Sequence, residues 1–130
     1  MPYLQGKDLF GYDIALEAYR KPAKGEEKLL CRSNFGHAPW SVQQLLAQQT
    51  INGCTIEIGD LIASGAISNP DDEHFSSIVE MAKHQGATAE DEILNTYIKD
   101  GDTVVLRGFC ERDGVRVGFG EVSTKILPTR

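Results

Sequence analysis

Apolar and polar positions alternate from Phe10 to Tyr19, with Tyr12, Ile14, Leu16 and Ala18 on one face and Asp13, Ala15, Glu17 and Tyr19 on the other. A period of two over this length predicts a half-buried strand. The charged stretch Lys21-Pro22-Ala23-Lys24-Gly25-Glu26 holds both common turn residues, and Lys28 to Arg32 reads as the return strand of a hairpin. The clearest helix follows: Ser41 is placed as N-cap, Val42, Leu45 and Leu46 form an apolar stripe, and Gly53 is placed to end it. Gly59-Asp60 then predicts a turn opening into a short buried strand at Leu61-Ile62-Ala63. The same device recurs at Asp100-Gly101-Asp102 before Thr103 to Leu106. A hairpin closes the chain, Val104 to Cys110 returning as Val115 to Ile126 through Glu111-Arg112-Asp113-Gly114, where Asp-Gly marks a tight turn. Gly108, Gly118 and Gly120 inside those strands point to bulges or a close backbone approach. The stretch from Asn69 to Gly86 fits two patterns. Asn69-Pro70-Asp71-Asp72-Glu73 with Phe75, Ile78, Val79 and Ala82 suits a capped helix ending before Gly86, while Ser76 to Met81 suits a strand; the local pattern favours the helix.

These elements predict one piece, mainly β, with one or two short helices. At 130 residues a second core does not fit, and 41% hydrophobic with 25% charged residues is ordinary for a globular chain. Charge narrows the partners. Thirteen Lys and Arg against nineteen Asp and Glu leave a net charge of -6, which lacks the basic footprint of a nucleic-acid binder. No run approaches the ~20 apolar residues that cross a bilayer, and residues 1–8 lack the build of a signal peptide. Cys31, Cys54 and Cys110, odd in number and widely spaced, suit a reducing, cytoplasmic setting and are simplest as small apolar residues in or near the core.

Candidate chemistry is sparse. No Walker loop, His-Glu-x-x-His, Gly-x-Ser-x-Gly or dinucleotide fingerprint is complete. Gly118-Phe119-Gly120 sits within a strand, where strand geometry accounts for it. His37, His74 and His84 are scattered in loop-like or exposed settings, and no zinc site is expected. Asp71, Asp72 and Glu73 beside His74 make the one dense acidic cluster, read as a solvated loop or helix start. Glu80 differs, because Phe75, Ile78, Val79, Met81 and Ala82 surround it in sequence. As a helix residue it faces solvent; as a strand residue it shares a face with Ile78 and Ala82 and points inward.

Several stretches together resemble the fumarylacetoacetase family. They are Arg32-Ser33-Asn34-Phe35, Trp40 through Gln43-Gln44-Leu45, Asn52-Gly53-Cys54, Gly59-Asp60 through Ile67-Ser68, Pro70, Phe75 to Glu80, Asp100-Gly101-Asp102-Thr103-Val104, and Gly118-Phe119-Gly120 to Leu127-Pro128. The resemblance is collinear over essentially the whole chain. It implies the distal, C-terminal portion of a catalytic domain built as a mixed β-sandwich roll, with the upstream half absent.

By the resemblance, the complete protein is a cytoplasmic homodimer acting on a small molecule, fumarylacetoacetate, in tyrosine and phenylalanine breakdown. A divalent cation, Ca2+ or Mg2+, holds the diketone, with its ligands expected upstream and none in this chain. A histidine oriented by a glutamate activates water, and a carbon–carbon bond breaks to give fumarate and acetoacetate. Glu80 takes the place of the orienting glutamate, which favours the strand reading of its segment. Ala66 stands where the family carries a substrate-contacting threonine, Asn69 where it carries a glycine, and Gln48 and Gln49 where it carries two histidines. Other reactions of the same superfamily (acylpyruvate hydrolysis, isomerisation, decarboxylation) and a non-catalytic subunit docking on a complete partner stand as alternatives.

Overall fold

A computed structural model of the chain describes residues 1–7, 9, 11–69, 75–86 and 97–129. Among the described residues, four strands form one antiparallel sheet: β1 (Ala15–Lys21), β2 (Lys28–Asn34), β3 (Thr103–Arg112) and β4 (Val115–Lys125), in the order β2-β1-β3-β4. The helices α1 (Val42–Thr50) and α2 (Ile78–His84) lie in the connection between β2 and β3. The expectation of a mainly β chain with one or two short helices holds.

Partner availability sets the strand boundaries. β1 begins at Ala15, where Asn34 and Phe109 flank it, and reaches Lys21 opposite Thr103. Alternation in the sequence placed the strand from Phe10 to Tyr19, but residues 11–14 lie outside the ladder. The first hairpin forms as expected, with a register shift between Ala18 and Tyr19. In the second, Asp113 (φ 53°) and Gly114 (φ 78°) both take the left-handed backbone that a tight two-residue turn requires. Between Arg107 and Phe109 the register slips by one residue on β4, and Gly120 carries a φ of 87° there. The glycine in the strand is therefore a bulge, as the sequence indicated.

Ser41 caps α1 in a reciprocal box: its Oγ accepts from the Gln44 N–H at 3.3 Å, and Gln44 Oε1 accepts from the Ser41 N–H at 2.9 Å. Gly53, at φ 87°, closes the turn after the helix. A short 3-10 turn, Pro2–Leu4, docks on α1. There the Tyr3 hydroxyl donates to Gln48 Oε1 at 2.8 Å, and Gln44 Nε2 donates to the Leu4 carbonyl at 2.9 Å.

Three expectations need correction. Leu61-Ile62-Ala63 is neither strand nor buried; Leu61 is 96% exposed, and no described strand pairs with the segment. The turn before it does form, with Asp60 Oδ2 accepting from the Glu57 N–H at 2.9 Å. The segment from Ile78 is a helix, as the local pattern favoured and against the strand that the resemblance favoured. Its cap is Ser77, whose Oγ accepts from the Glu80 N–H, rather than Asn69, and Gly86 (φ 86°) follows its end. Cys54 is exposed in the turn after α1, whereas Cys31 and Cys110 are half-buried.

The sheet has two unlike faces. Leu16, Ala18, Cys31, Ser33 and Leu106 belong to one, and the other carries Glu17, Tyr19, Arg32, Arg107 and Glu121. Apolar burial among the described residues is slight: Ile67, Ala82 and Val105 are buried, whereas every residue of β4 is exposed. Among the described residues, no helix is long and apolar enough to cross a membrane.

Candidate functional site

The apolar face of the sheet forms the floor of a cavity of about 330 Å³. Leu16 and Ala18 from β1, Cys31 and Ser33 from β2, and Leu106 from β3 supply that floor, residues 64–67 and Ser76 form the wall, and Glu17 and Arg107 also line it. Ala66, the position expected to face substrate, lines this cavity. Ser64 and Gly65 also line a second, mostly apolar cavity of about 620 Å³ against Phe35, Val42, Leu45 and Leu46. The segment carrying Ala66 is thus a partition between the sheet and α1.

Serine hydroxyls hold this partition. The Ile67 carbonyl accepts from both Ser33 Oγ and Ser76 Oγ. Ser68 Oγ accepts from the Ser76 N–H at 3.1 Å and donates to Glu80 Oε2 at 2.8 Å. Since its own proton goes to the carboxylate, Ser68 links Glu80 to the Ala66 segment while satisfying a backbone donor. Glu80 itself is exposed in the first turn of α2, where a negative charge suits the helix dipole.

The candidate residues therefore come together only in part. Ala66 and Glu80 share one hydrogen-bonded neighbourhood through Ser68. Neither described histidine meets Glu80: His37 Nδ1 lies 2.7 Å from Asn69 Oδ1, and His84 packs its ring on Phe75 at 4.9 Å between centroids. His74 and the Asp71–Glu73 cluster lie outside the described residues. Among the described residues, no group of three or more His, Cys, Asp or Glu converges as a metal site would require. Burial pushes the Cys31 thiol up, away from thiolate, so it is not an activated nucleophile.

Strong electrostatics hold the opposite face of the sheet and the entry to β3. Glu17 is 8% exposed. Its Oε2 accepts from the Tyr19 hydroxyl at 2.7 Å, and its Oε1 accepts from Arg32 Nε and Nη2 at 3.0 and 2.8 Å. The Tyr19 bond and then Arg32 hold this carboxyl below the usual range, against the upward pull of burial; the same bond raises the Tyr19 phenol. Arg107 stacks over the Tyr19 ring at 4.5 Å and pairs with Glu27 and Glu121 at 2.6 and 2.8 Å. Asp102 is a second anchor. It accepts from Arg20 Nε at 2.6 Å and from the N–H groups of Lys99 and Ala23, at 2.9 and 3.3 Å. The first cluster pairs charges across strands, and the second pins the residue just before β3 to β1. Each joins an acid to an arginine far away in sequence, legible only once the strand pairing is known.

No protein-family model matches the chain. Curated proteins do. The chain is 39% identical over 131 residues to a fumarylacetoacetase of Caenorhabditis elegans, covering 97% of this chain. It is 39% identical over 132 residues to that of Rattus norvegicus, covering 98%, and 36% identical over 131 residues to that of Arabidopsis thaliana, covering 99%. The chain spans about 31% of the length of each of these relatives. The resemblance to fumarylacetoacetase read from the sequence motifs holds across nearly the whole chain.

Proposed function

We propose that this chain is part of a fumarylacetoacetase, a hydrolase that cleaves the carbon–carbon bond of fumarylacetoacetate to fumarate and acetoacetate in tyrosine and phenylalanine catabolism. The observation that carries the reading is the similarity to curated fumarylacetoacetases from animals and a plant over 97–99% of the chain. Within that reading the chain contributes the Ala66 partition on the substrate side and Glu80 as the carboxylate that orients a histidine. A carboxylate accepting from one imidazole nitrogen fixes the tautomer and stabilises the imidazolium formed when the other nitrogen takes a proton from water. Glu80 already accepts a hydrogen bond from Ser68, which restrains the carboxylate. The histidine it serves lies beyond His37 and His84, whose rings are engaged elsewhere.

A divalent cation, Ca2+ or Mg2+, belongs to this reading by resemblance. The described residues do not fit one, because they offer no converging set of His, Cys, Asp or Glu. Its ligands are assigned to sequence outside this chain, and no step here depends on it. The assembled enzyme is proposed to be a cytoplasmic homodimer.

The test joins this chain to the remaining two thirds of a relative and follows fumarylacetoacetate consumption. Glu80→Gln keeps the size and removes the charge, so turnover should fall by ~100- to 10,000-fold with little change in substrate binding. Ala66→Thr restores a hydroxyl on the cavity wall and should lower KM more than it alters kcat. Turnover of Glu80→Gln within about three-fold of the parent, far short of that range, would remove Glu80 from the site.

A further inference from the structure

We infer that Asn69 and His37 form a latch that fixes residues 64–69 against the sheet and so sets where Ala66 stands in the cavity. Asn69 Oδ1 lies 2.7 Å from His37 Nδ1 and accepts from Ser33 Oγ at 3.2 Å. Ser33 is buried on β2, and His37 belongs to the 3-10 turn Phe35–His37 that leaves the same strand. That turn is itself pinned. Asn34 Oδ1 accepts from the Gly36 N–H at 2.7 Å, and Asn34 Nδ2 donates to Asp13 Oδ1 at 2.6 Å. The latch therefore ties the partition to a braced part of the sheet rather than to a loose loop.

The atoms fix its chemistry. Ser33 has one hydroxyl hydrogen, and the Ile67 carbonyl competes for it. His37 is thus the steadier donor to Asn69 Oδ1, which requires the neutral ring to carry its proton on Nδ1. The two ends of the segment are then held differently. Ser76 and Ser68 tie residues 67 and 68 to the approach to α2, while Asn69 ties the following residue to β2. The latch deepens the proposed function only in giving Ala66 a fixed place on the substrate side.

Cys31 reports on the latch, because it lines the same cavity beneath the partition. In the 130-residue chain, alkylation of Cys31 by iodoacetamide is followed by mass spectrometry, with half-buried Cys110 as the internal reference. Loss of one neutral hydrogen bond shifts an opening equilibrium by about five-fold. Asn69→Ala and His37→Ala should each speed Cys31 alkylation by about that factor without changing Cys110. The double variant should go no further than Asn69→Ala, which already removes the bond that His37→Ala loses. Nitrogen NMR should find His37 in the Nδ1–H form in the wild type and shifted to Nε2–H in Asn69→Ala. If Cys110 speeds up in parallel, the chain has opened globally. Asn69→Asp, which keeps the acceptor, must then restore both rates. Cys31 rates within two-fold of wild type in both single variants, failure of that rescue, or a wild-type His37 in the Nε2–H form would overturn the latch. Neither readout needs turnover, so a failed latch leaves the proposed function standing, and an inactive enzyme leaves the latch standing.

Discussion

Replacing Glu17 by Gln isolates the charge of the most buried carboxylate in the sheet while keeping its shape. Glutamine still offers Oε1 to Arg32, and its amide turns a donor toward Tyr19, whose hydroxyl can rotate to accept. What is lost is charge assistance in three contacts, two from Arg32 and one from Tyr19. Hydrogen bonds to charged groups contribute roughly 1.5–3 kcal/mol and neutral ones roughly 0.5–1.5. Breaking a fully buried pair costs about 3–5 kcal/mol. Arg32 is 58% exposed, however, so water already solvates much of its charge and screens the attraction. The expected loss is therefore about 1.5 kcal/mol, or roughly a 5 °C fall in Tm for a chain of this size. Urea unfolding followed by circular dichroism measures it. The pH dependence supplies a second check. Because the folded Glu17 carboxyl lies below its unfolded value, its stabilisation is fully present above pH ~4.3 and is lost as pH falls through the lowered folded value. The gap between wild type and Glu17→Gln should close in acid. A gap under ~0.5 kcal/mol at neutral pH, the range of an ordinary surface substitution, or one unchanged in acid, would refute this assignment.

Asp102→Asn should loosen the junction that Lys99, Arg20 and Ala23 share, speeding exchange of the β3 amides by about 10-fold at neutral pH. Backbone bonding from Lys99, then Arg20, holds the Asp102 carboxyl low, so the effect should be full above pH ~3.9 and fade below it; equal exchange at neutral pH would count against the anchor. Gly120→Ala should cost about 1–2 kcal/mol from backbone alone, since φ is 87° and an added Cβ meets nothing within 4 Å. Gly118→Ala, without a left-handed φ, should cost less, and equal denaturation midpoints for the two would remove the bulge argument.

Much of the fold was legible where local chemistry decides it. Asp113-Gly114 announced a tight turn, Ser41 before Val42, Leu45 and Leu46 a capped helix, and Gly120 a bulge; each signal lies within a few residues of its effect. Boundaries and faces were less legible, because they depend on partners distant in sequence. β1 starts where Asn34 and Phe109 can flank it, not where alternation begins. Alternation put Glu17 on the face opposite Leu16 and Ala18, and that is correct, but only the register brings Arg32 and Tyr19 over it and buries it. Leu61-Ile62-Ala63 shows the converse error. Apolar residues after a turn suggest a buried strand, yet burial needs a neighbour, and the described residues supply none.

At the candidate site, local pattern and family resemblance disagreed over Glu80, and each was informative about a different thing. The cap at Ser77 and the apolar spacing of Ile78, Val79 and Ala82 are helix signals, and the segment is a helix. The resemblance speaks instead to a role for Glu80, which the fold does not test; the structure shows Glu80 accepting from the Ser68 hydroxyl, next to the Ala66 partition. The tie itself had no sequence signature. Ser33, Ser68 and Ser76 follow no period, and a serine in a loop is ordinary. Their geometry exists only because β2, the partition and the approach to α2 meet at the Ile67 carbonyl. A carbonyl that accepts two hydroxyls takes the one hydrogen that each serine can donate. The polar wall of the cavity is thus committed to holding its own shape, and Ala66 adds no polar group of its own.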